Sequence, residues 1–177
     1  MSDGTVIDPG CVYTIGHGGR TIDELVNLLR MHDVQFLIDV RSVPNSRHQP
    51  DFSKKPLEQT LLHHGLKYVF MGKELGGWPK DSACYTNGKV DYSKCRNKAF
   101  FRQGIDRLKM AFCQGYRVCL LCSEEKPWKC HRSRLIGAVL QDEGIDVRHI
   151  LPDGTVGTQD DVIRELTGGQ GDLFGAH

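Results

Sequence analysis

The chain has 177 residues, of which 39% are hydrophobic and 25% are charged, and its formal net charge is +1. This length and composition are typical of a soluble globular domain with a substantial core. They exclude a protein that spans the membrane with helices, because no apolar run is long enough to cross a bilayer. They also exclude a global basic field, so any binding of nucleic acid must depend on a local patch. Seven cysteines without regular spacing argue against a disulfide framework and predict a cytoplasmic protein.

The expected organisation is a single α/β domain over residues 1–167 and a flexible C-terminal tail over residues 168–177. A capping box from Thr21 to Glu24 opens the first predicted helix, and Pro56 suits the first turn of the second. The segment 71–94 has no periodicity and is expected to fold over the site as a long loop. The predicted strands are 12–15, 36–40, 66–70, 116–121 and 146–151, and the later helices are 97–114, 133–143 and 159–166.

Strands that alternate with helices predict a three-layer α/β fold, with a mostly parallel sheet of about five strands and helices on both faces. In such folds, ligands bind at the carboxyl ends of the strands. His17, Arg41 and Cys122 each follow a predicted strand, so we expect them to lie at one sheet edge. The triplet 130–132 (CHR) begins the next helix and is expected to face Cys122 across a loop.

The loop between Cys122 and Cys130 is predicted to carry the chemistry. A helix N-terminus presents unpaired N–H groups and a positive partial charge, which favour a thiolate. Cys119 lies inside the apolar strand and is expected in the core. We expect Cys122 or Cys130 to be the nucleophile, and His17 or His131 to be the base. The residues expected to bind an anion or substrate are Arg41, Arg132, Glu124 and Trp128.

Several short blocks of the sequence occur together in one order. They are 14–17 (TIGH), 38–41 (IDVR) with Pro44 and Ser46, 75–77 (LGG), 122–124 (CSE) and 130–132 (CHR). These blocks resemble the bacterial and archaeal family called domain of unknown function 488, and the match covers about residues 12–152. The resemblance implies an α/β fold and no settled activity. Gly18 stands where we expect a serine in the family, so any ligand contact made by that hydroxyl is absent from this chain.

One chemistry open to the loop is nucleophilic catalysis by cysteine. The IDVR block and the strand-cysteine-loop-helix order are similar to those of rhodanese-type sulfurtransferases and cysteine phosphatases, which hold an anion over a thiolate. Phosphatases need an arginine six residues after the cysteine, and here that position is Trp128. Glu124, Glu125 and Pro127 also make a poor cradle for an anion.

Two other chemistries stay open. Zinc prefers thiolate and imidazole ligands, and Cys122, Cys130 and His131 could bind it, with His17 as a further ligand. Against this, neighbouring Cys130 and His131 seldom both aim at one ion. The CHR triplet also resembles the Pro-Cys-His-Arg site of DNA alkylguanine transferases, with Lys129 in place of the proline.

The tail carries a separate signal. After two glycines, the sequence QGDLF places Leu173 and Phe174 almost at the terminus, where large apolar side chains gain nothing in water. The pentapeptide resembles the motif that binds the bacterial sliding clamp, with Gly171 in place of the common leucine. We therefore predict that Gln170, Leu173 and Phe174 dock on a clamp, although both apolar residues could instead fold back onto the domain's own core.

Two functions follow from these observations. The first is a cysteine-dependent transferase or hydrolase in DNA repair and maintenance that acts on DNA, another nucleic acid, or a substrate that carries a phosphate or another anion. The second is a non-catalytic adaptor for nucleic acid, stabilised by zinc, that docks on the clamp. Trp78 and Trp128 lie in loops near the site and could stack on bases. The residues that could form a basic rim for phosphates are Arg41, Arg47, Lys54, Lys55, Lys73, Lys129, Arg132 and Arg134.

Overall fold

The computed structural model describes residues 10–168, and its centre is a six-stranded sheet. In chain order, the strands are β1 (Val12–Gly16), β2 (Phe36–Asp39), β3 (Lys67–Phe70), β4 (Tyr85–Thr86), β5 (Lys89–Val90), β6 (Val118–Cys122), β7 (Val147–Ile150) and β8 (Val156–Thr158). The order across the sheet is β3-β2-β6-β1-β7-β8. The first five strands of this order are parallel, and β8 pairs antiparallel with β7. A separate antiparallel hairpin joins β4 and β5.

Helices pack on both faces of the sheet, so the predicted three-layer α/β fold is confirmed. In chain order, the helices are α1 (Ile22–Met31), α2 (Lys54–His63), α3 (Gly72–Leu75), α4 (Tyr92–Cys95), α5 (Ala99–Cys113), α6 (Ala138–Asp142) and α7 (Gln159–Leu166). The predicted capping box is present at α1, where Thr21 and Glu24 exchange hydrogen bonds. Within residues 10–168, no helix has both the length and the apolar character that a bilayer span requires.

The structure differs from the sequence-based expectation in three elements. The sheet has a sixth strand, β8. The sequence did not predict it, because its three residues include Gly157 and have no apolar run. The segment 71–94 is not a structureless loop, since it contains α3, the β4–β5 hairpin and α4, all too short to show a period. The helix predicted over 133–143 begins with a π-helical segment, Arg132–Gly137. Such segments are rare and occur frequently at functional sites.

Side chains of β6 alternate between two apolar clusters, one on each face of the sheet. Cys119 and Leu121 belong to the cluster that includes residues of α1 and α2. Leu120 and Cys122 belong to the cluster that includes residues of α5 and α6. Cys119 is fully buried, so its predicted place in the core is confirmed. The same alternation directs Cys122 to the opposite face from Cys119, at the carboxyl end of a central strand.

A buried polar network connects β1, β7 and α7 beneath the site. The Thr14 hydroxyl lies 2.7 Å from His149 Nδ1, and His149 Nε2 lies 2.6 Å from Gln159 Oε1. The Gln159 amide nitrogen donates to the Ser133 carbonyl, so its oxygen accepts from His149 Nε2–H. Arg132 Nε donates to the Thr14 hydroxyl, which in turn donates to His149 Nδ1. Burial lowers the pKa of His149 from 6.5 to about 4, so this imidazole is neutral in the folded protein.

This lowered pKa predicts that the protein loses stability in mild acid. The unfolded chain takes up a proton at His149 as the pH falls below 6.5, whereas the folded protein resists it until about pH 4. The free energy of unfolding therefore falls across that window, by about 3 kcal/mol when the loss is complete. Denaturant unfolding at a series of pH values checks this, with His149→Gln as the matched variant. The variant should lose this part of the pH dependence, and an identical pH profile in both proteins would contradict the assignment.

Candidate active site

A cavity of about 250 Å³ opens at the carboxyl ends of β2 and β6. Its walls come from five parts of the chain: the segment after β2, the segment after α3, Tyr92 of α4, the end of β6, and the loop that leads into the π-helical segment. The strand-end rule predicted this position. The lining residues that matter for the argument are Arg41, Ser42, Gly77, Trp78, Cys122, Glu124, Lys129, Cys130 and His131.

Two thiols and an imidazole form a buried cluster at the base of this cavity. His131 Nδ1 lies 3.6 Å from Cys130 Sγ and 3.9 Å from Cys122 Sγ. On the other side of the ring, His131 Nε2 lies 3.1 Å from the Val40 carbonyl oxygen. A carbonyl only accepts, so Nε2 carries a proton, and Nδ1, which faces both sulfur atoms, is the ring nitrogen that can take up a thiol proton. Gly77 packs against this ring, because a Cβ there would lie 2.8 Å from His131 Nδ1.

The two thiols of the cluster differ in acidity. A hydrogen bond from Cys130, followed by the hydrogen bond and charge of His131 and the Glu124 backbone N–H, holds the pKa of Cys122 well below its ordinary value. The same hydrogen bond to Cys122, together with burial, raises the pKa of Cys130 well above its ordinary value. Cys122 is therefore the thiolate of the pair and Cys130 is the proton donor.

Arg41 reaches the cavity from the segment after β2, with Asp39 as its buried partner. Arg41 Nε and NH2 donate to the two Asp39 oxygens at 2.9 and 2.6 Å. Its NH1 group lies 3.3 Å from His17 Nε2, and the Tyr68 hydroxyl donates to Asp39 Oδ2 at 2.6 Å. A guanidinium has five N–H donors, and these three contacts leave donors on NH1 and NH2 for a ligand.

His17 does not have the position of a general base. Its Nδ1 lies 2.9 Å from Gln49 Oε1, and its Nε2 faces the Arg41 guanidinium. Because Arg41 only donates, Nε2 must accept, and Nδ1–H donates to Gln49. Burial and the Arg41 charge lower the pKa of His17, so its ring is neutral. His17 stacks on Phe52 at 4.5 Å between ring centres and orients Arg41.

Arg132 was expected to bind an anion, and the structure gives it a different role. Its side chain has 0% exposure. NH1 donates to the Glu124 carbonyl at 2.6 Å, NH2 to the Glu125 carbonyl at 3.0 Å, and Nε to the Thr14 hydroxyl. Among the described residues, no carboxylate lies close enough to pair with it. Arg132 therefore holds the loop after Cys122 in place and does not face the cavity.

Two glycines at the end of β1 allow this loop to lie directly on the strand. A Cβ at Gly16 would collide with the Glu124 carbonyl, and a Cβ at Gly18 would lie 2.9 Å from the Ser123 carbonyl. The backbones are joined there by a bond from Gly18 N to Ser123 O at 3.1 Å. The serine expected at position 18 would require the loop to shift, so the glycine and the loop position belong together.

The two tryptophans near the site have different positions. Trp128, expected to contact substrate, is half-buried, lies outside the cavity lining, and has Lys126 Nζ 5.7 Å from its ring centre. Trp78 lines the cavity and is 73% exposed. Sequence reasoning could not rank the two, because both occupy irregular segments. It also missed Ser42 and Val40, whose contributions depend on packing.

A metal could be held by the same cluster. The ligand atoms of Cys122, Cys130 and His131 all lie within 4.8 Å of one another. The ligand atoms of Cys130 and His131 lie close together although the two residues are adjacent in sequence, 3.6 Å between Sγ and Nδ1. A histidine that offers one nitrogen while donating the other N–H to a carbonyl is the usual arrangement at a zinc site. These three residues fit three of the four ligand positions of a zinc site.

The C-terminal residues lie outside the described part of the chain. Gln170, Leu173 and Phe174, which the sequence assigns to a partner-binding motif, fall beyond residue 168. Their docking role remains a prediction from sequence.

Comparison with known proteins places this chain in a family. Neither the curated proteins nor the solved structures contain a significant match. The family model described as "Domain of unknown function DUF488" matches residues 21–139, which include Arg41, Cys122 and the 130–132 triplet. The match covers more than half of the sequence and agrees with the resemblance in the sequence blocks. The protein is therefore a member of the DUF488 family.

Proposed function

We propose that this protein is a cysteine-dependent enzyme, a transferase or hydrolase, whose nucleophile is Cys122 and whose substrate carries a phosphate or another anionic group. The observation that carries the proposal is the cluster of Cys122, Cys130 and His131 at the base of an open cavity. A buried thiol that meets a histidine ring nitrogen, a second thiol and a backbone N–H is arranged for ionisation.

The hydrogen-bonding capacity of each residue indicates its role in the proposed reaction. His131 Nδ1 accepts the Cys122 proton, and Nε2–H keeps its bond to the Val40 carbonyl. The Cys122 thiolate attacks the electrophilic atom of the substrate, which forms a bond to sulfur as the bond to the leaving group breaks. The leaving group departs with the electron pair and takes the proton back from His131. Water or a second acceptor then displaces Cys122 from the intermediate.

The anionic group of the substrate is held by cations at the cavity wall. Arg41 has N–H donors left after its bonds to Asp39 and His17, and Lys129 lines the cavity mouth with its side chain exposed. The resemblance to rhodanese-type sulfurtransferases and cysteine phosphatases supports the same class of reaction. The loop differs from theirs, because Arg132 binds its carbonyl oxygens and the side chains of Arg41 and Lys129 take over part of the anion binding.

Zinc binding is the second candidate function, in which the protein is a non-catalytic adaptor. The specific observation in its favour is the pair of distances from His131 Nδ1 to the two sulfur atoms, 3.9 and 3.6 Å. They suit ligands that share one small tetrahedral ion. Cys122, Cys130 and His131 would then be ligands, and neither thiol would be free to react.

We further propose that the enzyme takes part in DNA maintenance. It is supported by the clamp-like motif of the tail and by the basic and aromatic residues around the cavity. In this proposal, the tail tethers the domain to the clamp and the cavity acts on nucleic acid nearby.

Alkylation tests the nucleophile. The rate at Cys122 should stay nearly constant between about pH 6 and 8, whereas the rate of an unstructured cysteine peptide added as a standard should rise about tenfold per pH unit. Each rate is measured by mass spectrometry of peptides from chelator-treated protein. Iodoacetate and iodoacetamide form a matched pair of probes, because only the first is an anion. Lys129→Gln should lower the ratio of their rates at Cys122 by about threefold and leave the ratio at Cys113 unchanged.

The same experiment separates the two candidates. A Cys122 rate that rises with pH like that of the unstructured cysteine peptide would contradict the nucleophile assignment. Stoichiometric zinc in protein purified without chelator, with Cys122 and Cys130 both protected until the metal is removed, would favour the adaptor.

The tail can be tested by itself. A peptide of residues 167–177 should bind a bacterial sliding clamp with an affinity of tens of micromolar, roughly the range of a short peptide that must order on binding. Replacing Leu173 and Phe174 by alanine should abolish binding, because buried apolar anchors of this kind each contribute about 2 kcal/mol or more. Equal binding of both peptides, or of neither, measured by isothermal titration calorimetry, would remove this part of the proposal.

A further inference from the structure

A second cavity adjoins the one that contains Cys122. Its volume is about 610 Å³, and it shares Ser42 and Trp78 with the first cavity. The other residues of its wall that enter the argument are Phe70, Lys73, Lys80, Asp81 and Phe100. The two cavities therefore form one groove, with the indole of Trp78 at the boundary.

Trp78 has the properties of a fixed stacking platform. Its side chain is 73% exposed, although its backbone is held firmly. Trp78 N donates to Ser42 Oγ at 2.9 Å. The two preceding glycines pack so closely that a Cβ at Gly76 would collide with Ser42 Oγ, and a Cβ at Gly77 would meet the His131 ring. An exposed indole on an anchored backbone offers its face to a ligand, and only its two side-chain torsions remain to be ordered on binding.

The charge of the second cavity is positive. Lys73 and Lys80 line it, and neither forms an ion pair anywhere in residues 10–168. Asp81 is the acidic residue of the wall, and Lys98 neutralises it at 2.7 Å. Lys54, outside the lining, lies 4.9 Å from the centre of the Phe70 ring. The lining thus combines aromatic faces with cations that have no acidic partner.

We infer that this second cavity binds an unpaired nucleotide, with its base stacked on Trp78 and its phosphate on Lys73 and Lys80. Stacking on an aromatic face suits any base, and it requires an unpaired base because a duplex hides the base faces. The cavity volume lies within the range of small-ligand sites. This inference rests on the proposed function and names its substrate class, since the nucleotide next along the groove would place its reacting group at Cys122.

Binding can be measured without any turnover. Fluorescence anisotropy of a labelled oligothymidylate in low salt should show saturable binding to the full chain. Trp78→Ala should weaken this binding about tenfold, as expected for the loss of one base stack. Trp128→Ala is the matched control, because Trp128 is a half-buried tryptophan outside both cavities, and it should bind like the wild type. Trp78→Phe should restore most of the affinity, and a thermal melt of each variant verifies its fold.

Salt dependence tests the lysines. The double variant Lys73→Gln with Lys80→Gln should bind more weakly, and its logarithmic slope against salt should be smaller by about one to two. Thymidine monophosphate as competitor identifies the source of the nucleotide: effective competition indicates a free nucleotide, and weak competition indicates a single strand. Both results support the cavity as a nucleotide site.

Three results would overturn the inference: no binding of oligonucleotide or mononucleotide, equal loss with Trp78→Ala and Trp128→Ala, or duplex binding as tight as single-strand binding. Alkylation of Cys122 is measured in the absence of nucleic acid. A failed nucleotide site and a failed nucleophile are therefore distinguished by separate readouts.

Discussion

The buried guanidinium of Arg132 fixes the loop on which the site depends. It donates to the carbonyl oxygens of Glu124 and Glu125 and to the Thr14 hydroxyl, with no carboxylate partner among the described residues. Removing a charge from water costs several kcal/mol unless hydrogen bonds replace its hydration, so the loop and Arg132 stabilise each other. A trans peptide directs its N–H away from its carbonyl. The peptide groups that turn their oxygens toward Arg132 therefore turn their N–H groups away from it.

On this fixed loop, the hydrogen bond that Cys130 donates to Cys122 distinguishes the two thiols. The Val40 carbonyl accepts from His131 Nε2–H, so Nδ1 is the ring nitrogen that faces both sulfur atoms and can take up a thiol proton. Cys122 also accepts from Cys130 and from the Glu124 N–H, whereas Cys130 is deeper and acts as a donor. The asymmetry comes from strand and helix geometry: Cys122 ends β6, and Cys130 precedes the π-helical segment. The same three ligand atoms suit zinc, so metal and nucleophile compete for one set of residues.

The sequence predicted the fold and the location of the site, since both follow from hydrophobic periodicity and the strand-end rule. It placed Arg41 and Cys122 at one edge because each follows an apolar run. It could not assign Arg132, since the pattern does not show whether an arginine meets solvent, an anion or backbone carbonyls. It could not predict that His17 serves Arg41, because that contact depends on the approach of Gln49 from a distant loop. Irregular segments have no hydrophobic periodicity, so the sequence could not show whether Trp78 or Trp128 lines the cavity.

The proposed chemistry requires that Cys122 is ionised at neutral pH. The most direct measurement is the ultraviolet absorbance of thiolate, recorded against pH in chelator-treated protein and in its Cys122→Ser variant. We expect the absorbance difference between the wild type and the variant to correspond to one thiolate at pH 7. This difference should persist into acid, far below the ordinary cysteine pKa of about 8.5. A difference that vanishes below about pH 8 would mean that Cys122 is an ordinary buried thiol, and it would contradict the account.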